Sequence, residues 1–225
     1  MTAPSTGRQV IRIDGTRPPS AGLVAAVTAA CERVEDRGTP TRVVVEASGA
    51  PDGEWTRGLT PGLVGKWERA LRRLERLPAA TVAVATGDCG GTALDALLAA
   101  DHRVVSPDTR LVLPVAAGAP WPGMALYRLV REGGGTGAVR RAILFGAPLE
   151  AADALALHLV HAVSDDLPGA LEAADGLAGR VPGAELAIRR QLMLDASSVG
   201  FEEALGAHLA ACDRALRQTD AGTAP

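Results

Sequence analysis

Aromatic residues make up only 3% of this 225-residue chain, and Lys66 is its one lysine. Few rings leave few platforms for stacking nucleobases, and a net charge of −3 gives no footprint for a phosphate backbone. Nucleic acid is therefore not an expected partner. The single lysine removes Schiff-base chemistry from most of the chain. Cys31, Cys89 and Cys212 lie far apart without a C-x-x-C pair, which speaks against a disulfide framework and a zinc site alike. No apolar run approaches the length needed to span a bilayer, and MTAPSTGRQV lacks an apolar signal core. The expectation is a cytoplasmic protein with no membrane partner. Missing too are a G-x-G-x-x-G after the first strand, a P-loop lysine and a G-x-S-x-G elbow. Nucleotide oxidoreductases, NTPases and α/β-hydrolases lose their usual support. The histidines lack metal-ligand spacing, His158-x-x-His161 being only a weak pair, so no metal is expected.

With 47% hydrophobic and 22% charged residues, the chain can bury one sizeable α/β core with a helical appendage. Gln9 to Asp14 reads as a strand, and Pro18, Pro19 and Ser20 announce a helix that Gly38 and Pro40 close. Thr41 to Glu46 is the next strand, so the chain opens β-α-β. Ala47 to Pro61 is glycine-rich and aperiodic, either a functional loop or a plain connection. Leu63 to Leu77 is an amphipathic helix with Leu63, Trp67, Leu71 and Leu74 on one face and Glu68 four residues before Arg72. Helices are expected over Met124 to Arg131, Thr136 to Phe145 and Ala151 to Leu157, then from Leu167 to about Gln218 with breaks near Val181 and Ser197.

The organising stretch is TVAVATGDCGGTALDALLAADHRVV, Thr81 to Val105. Val82 and Val84 alternate with alanines, Gly87, Gly90 and Gly91 break the run, and Leu94, Leu97 and Leu98 recur at helical spacing. A helix entered through glycines presents free N–H groups beside a positive dipole end, suited to phosphate, carboxylate or a developing oxyanion. Thr92 and Asp95 form T-x-x-D at its start. They read either as a capping-box variant or as a carboxylate held for proton transfer. Cys89 in the glycine turn is either a nucleophile or a small buried residue.

R-L-P before this strand, G-x-x-x-G and A-x-D-x-R within the stretch, then L-x-L-P, P-G, and L-x-A-x-x-A-L-x-x-x-L-V at Leu149 to Val160 follow in order. Together they resemble the crotonase (enoyl-CoA hydratase/isomerase) superfamily over most of the chain. Gly87, Gly91, Asp101, Pro114, Pro122 and Gly123 keep its spacing without a gap. The resemblance implies a ClpP/crotonase-like α/β fold of repeated β-β-α units in two roughly perpendicular sheets. Residues 9–165 would form the core and 166–218 a helical trimerisation region, giving a homo-trimer or hexamer. It implies an acyl-CoA thioester as substrate, no further cofactor, and an enolate held by two backbone N–H groups. Thr92 aligns with the second donor, and Gly53, in a shortened loop, stands for the first. Asp95 aligns with the first of the family's two glutamates and Val115 with the second, so the pair is incomplete. Gly91, Trp121 and Gly123 fall at substrate-contacting positions, Gly123 with its N–H near the catalytic water. His158 occupies a left-handed family glycine.

D-C-G-G at Asp88 to Gly91 and A-P-W-P-G-M-A-L-Y-R-L at Ala119 to Leu129 are similar to the DpgB-type crotonases of 3,5-dihydroxyphenylglycine biosynthesis. These are auxiliary proteins of a type III polyketide synthase that makes 3,5-dihydroxyphenylacetyl-CoA. That likeness implies dehydration or aromatisation of a CoA-bound intermediate, a lyase-like role in antibiotic biosynthesis. Two alternatives stay open: a non-catalytic partner of the synthase, and an enoyl-CoA hydratase or isomerase relying on Asp95 alone.

Overall fold

The computed structural model describes residues 7–36, 41–178 and 181–222. The chain opens β1 (Gly7–Asp14), α1 (Ala21–Glu35), β2 (Thr41–Gly49), α2 (Pro61–Glu75), β3 (Thr81–Gly90). Ser20 and Thr60 start the two helices alike, their hydroxyls accepting the N–H groups of Leu23 at 3.1 Å and Leu63 at 3.2 Å. Pro61 suits the first helical position because its missing N–H would have found no partner there. The expected stop of α1 at Gly38 and Pro40 lies outside the described residues. Along α2, Trp67, Leu71 and Leu74 are buried on one face and Leu63 is half-buried.

The chain continues α3 (Thr92–Leu98), β4 (His102–Val105), β5 (Arg110–Val112), β6 (Val115–Ala116), β7 (Ala119–Pro120), α4 (Met124–Gly133) and α5 (Gly137–Phe145). It ends β8 (Leu149–Glu150), α6 (Ala151–Ala156), β9 (Ala162–Val163), α7 (Leu167–Ala178), α8 (Gly183–Asp195) and α9 (Phe201–Gly222). Thr136 caps α5, and Gly146 closes it in a left-handed conformation with φ 69°. β9 is two residues long, and the β6–β7 hairpin and β8 are additions to the elements expected from sequence.

Strands run in the order β1-β2-β3-β4-β9, all parallel, and β5 joins the far end of β3. The glycines do not end β3 as the sequence led us to expect. Val82 to Ala85 pair with β4, Gly87 takes φ +59°, and Asp88 to Gly90 pair with β5. One strand thus belongs to two branches, and the two sheets implied by the resemblance are joined by hydrogen bonds into one seven-stranded sheet. Side-chain alternation gives this sheet two apolar faces. Val43, Val45, Ala83 and Ala85 belong to the main core with α1, α2 and α3, whereas Val44, Val82 and Val104 are buried outside that cluster. Against β3 and β4 packs α7, with Ala174 buried.

A buried arginine fastens α8 to the core. Arg190 forms a two-pronged ion pair with Asp101, 2.6 Å at each oxygen, and donates to the Leu77 and Ala79 carbonyls at 2.7 and 3.1 Å. By contrast, Phe201, Leu205, Leu209 and Leu216 of α9 are exposed. No helix among the described residues is long and apolar enough to cross a membrane.

The ends of β1, β2 and β3 converge on the start of α3 through Gly15. A methyl group there would lie 2.1 Å from the Gly49 carbonyl oxygen, 2.5 Å from that of Gly90 and 2.7 Å from the Ala93 side chain. Backbone cannot yield as a flexible side chain does. Gly15→Ala is expected to destabilise the fold by about 3 kcal/mol, the upper part of the range for overpacking. Urea denaturation of variant and parent measures it.

Candidate active site

Asp95 sits in the first turn of α3, where the helix dipole favours a negative charge. Its Oδ2 accepts the Trp67 indole N–H at 3.0 Å, and the backbone amide of Ala125 favours its charged form. Trp67 belongs to α2 and Ala125 to the first turn of α4, which has no side-chain cap of its own. Asp95 is thus anchored in its own helix and set beside the start of a neighbouring one. Burial pushes its carboxyl up to about 7, and the charge of Glu68 adds to the rise. The Trp67 hydrogen bond and Arg128 oppose it without cancelling it.

The capping-box reading of T-x-x-D is overturned. Gly91 is the residue that caps α3, without a side-chain bond, and the Thr92 hydroxyl lies 3.3 Å from each of the Asp14 and Arg17 carbonyl oxygens. Thr92 is thereby turned toward the β1 end rather than toward its own helix. As the first helical residue, it has an N–H without an intrahelical acceptor.

Gly91, Thr92, Asp95, Trp121 and Gly123 line one small cavity of about 30 Å³, together with Trp55, Trp67, Glu68, Pro114 and Ala125. Trp55 and Trp121 close it with rings 5.3 Å apart, edge to face. The Trp55 indole N–H donates to the Val115 carbonyl at 2.9 Å, so Val115 braces a wall residue through its backbone while its aliphatic side chain is half exposed. Two expected positions are placed differently. The exposed Gly53 does not line the cavity, and the segment against the α3 entrance is Ala50 and Pro51, which a methyl on Gly90 or Gly91 would strike. The Gly123 N–H is committed to the Trp121 carbonyl at 2.9 Å, so it has no free proton for a water.

Glu68 was legible only as half of an i,i+4 pair with Arg72, and that pairing does not form. Arg72 turns to Glu75 at 2.9 Å, while Glu68 takes Arg128 of α4 at 3.0 Å. Arg128, itself buried, also holds Glu75 at 2.9 Å. Burial raises the Glu68 carboxyl, with Arg128 opposing and Glu75 assisting. Beyond it opens a trough of about 1110 Å³ between α2, α4, α8 and the sheet, lined among others by Tyr127, Arg131, Met193 and His161.

The other candidates fall away from chemistry. Burial raises Cys89 far above its usual thiol range, and Cys31 to about 11, leaving Cys212 the exposed thiol. His161 accepts the Arg103 backbone N–H at 3.1 Å on Nδ1 and stacks on His102 at 4.8 Å. Burial and the Arg103 charge lower it to about 4. His158 takes φ 58°, the left-handed turn anticipated for it. Among the described residues no cluster of three or more His, Cys, Asp or Glu could hold a metal ion.

No family model matches the chain. It is 53% identical over 212 residues to an enoyl-CoA hydratase of Amycolatopsis orientalis, covering 94% of this chain and 97% of that protein. Among solved structures it is similar to an enoyl-CoA hydratase/isomerase from Marinobacter aquaeolei, TM-score 0.75 at 17% identity, over 97% of this chain and 89% of that one. An enoyl-CoA hydratase from Thermoplasma volcanium gives TM-score 0.76 at 18% identity, over 93% and 89%.

The raised Asp95 carboxyl has a consequence for stability. The folded state holds this proton up to about pH 7 while the unfolded chain releases it near 3.8, so its contribution is complete below that lower value and is lost as pH rises through 7. Asp95→Asn, which never ionises, is expected to melt higher than the parent at pH 8, with the difference shrinking toward pH 5. Calorimetry across that range checks it.

Proposed function

The chain belongs to the enoyl-CoA hydratase/isomerase family, the crotonases, and from that premise we propose that it acts on a CoA thioester with Asp95 as the proton-transfer group. The observation carrying this reading is Asp95 itself, a carboxyl held by the Trp67 indole, facing a cavity and poised near neutrality, where acid–base catalysis is most effective. The Thr92 N–H, at the same cavity, is the donor for the thioester oxygen. Deprotonation next to the thioester and expulsion of a β-hydroxyl as water need one base, one acid and an oxygen-binding donor. No redox group enters, and coenzyme A is part of the substrate.

The narrower role follows the resemblance of Asp88 to Gly91 and Ala119 to Leu129 to DpgB: dehydration or aromatisation of a CoA-bound polyketide beside a type III synthase. Val115 supports it, because ordinary hydration draws on a second carboxylate that is absent at that position. The exposed apolar residues of α9 support assembly into a homo-trimer or hexamer.

One observation favours a second reading. A cavity of about 30 Å³ is the volume of a single water, so a thioester enters only if the tryptophan-lined wall moves. A protein that assists its synthase without binding substrate needs no such movement.

The test is reconstitution with a type III polyketide synthase and malonyl-CoA. Asp95→Asn is expected to reduce stimulation of 3,5-dihydroxyphenylacetyl-CoA formation by two orders of magnitude or more, the usual contribution of a proton-transfer group. Full stimulation by that variant, together with co-purification with the synthase, would establish the assisting role instead.

A further inference from the structure

Among the described residues, Glu68 is the one that lines both the small cavity beside Asp95 and the large trough behind it. It follows Trp67, whose indole holds Asp95, and Arg128 fixes its carboxylate at 3.0 Å from the next helix. A thioester admitted to the small cavity would displace solvent from Asp95 on that side. A proton taken from substrate then needs another way out.

We propose that Glu68 is the proton-exchange residue of this site, passing protons between Asp95 and the water of the trough. The inference rests on Asp95 being the proton-transfer group. After Asp95 has taken a proton from the α-carbon, its O–H bond breaks as an O–H bond forms on Glu68. Glu68 then gives the proton to water in the trough, and no electrons change hands. Burial raises both carboxyls above their ordinary range. Arg128 and Glu75 are the other charged groups facing Glu68, and their ion pair holds the carboxylate in place without consuming its proton. Glu68 is thus a relay residue that need not touch the substrate.

Deuterium wash-in at the α-carbon of 3-hydroxybutyryl-CoA in D2O, followed by mass spectrometry, reads the relay. Glu68→Gln, close in shape to the parent and still able to accept from Arg128, is expected to slow wash-in by about tenfold or more with KM for the probe unchanged. Glu68→Asp, with its carboxyl drawn back by one methylene, is expected to slow it less and to make the rate rise with imidazole concentration, a dependence the parent lacks. Parental wash-in in E68Q, or slow wash-in in E68D that imidazole leaves unaltered, overturns the relay. The premise fails separately: wash-in by the parent no faster than without protein, or parental wash-in in Asp95→Asn, removes Asp95 from proton transfer and the relay with it.

Discussion

A buried carboxyl anchored by an N–H from a neighbouring helix holds this site together. Asp95 stands on α3, Trp67 reaches it from α2, and the Ala125 amide at the start of α4 favours its charged form. A hydrogen bond to an ionised group contributes about 1.5–3 kcal/mol, and burial of that charge opposes it. The balance leaves a group that keeps its proton near neutral pH and whose ionisation strains the junction of three helices. The protonation of Asp95 and the cohesion of the walls around it are therefore linked.

That junction needs a rigid floor. β3 supplies it by bending at Gly87 without breaking, so that one strand carries both branches of the sheet and delivers Gly90 and Gly91 to the α3 entrance. Gly15, Ala50 and Pro51 crowd that entrance, which fixes the first helical amides but leaves little free volume. Tight packing of this kind orients donors well and admits ligands poorly. The other wall of the enclosure is formed where Trp55 and Trp121 meet edge to face beside the β6–β7 hairpin.

Much of the fold was legible because its signals are local. Ser20, Thr60 and Thr136 cap helices through bonds spanning three residues, and Trp67, Leu71 and Leu74 announce the buried face of α2 by spacing alone. Asp95 could be singled out by its place after a glycine entrance. What it touches could not, since its partners lie 28 and 30 residues away in sequence. Local reasoning also misled where two local answers competed: T-x-x-D resembles a cap, yet Thr92 turns to Asp14 and Arg17, and Glu68 looks along its helix to Arg72 but binds Arg128. Gly53 lies in a loop with no periodicity to place it, and only the folded backbone shows Ala50 and Pro51 against the entrance.

Burial of Cys31 and Cys89, with Cys212 left on the open surface of α9, makes the native chain a self-addressed target for thiol reagents. A maleimide fluorophore added without mutagenesis would settle on that terminal helix alone. Its anisotropy would then report on whatever comes to cover the helix, while the junction around Asp95 stays unlabelled.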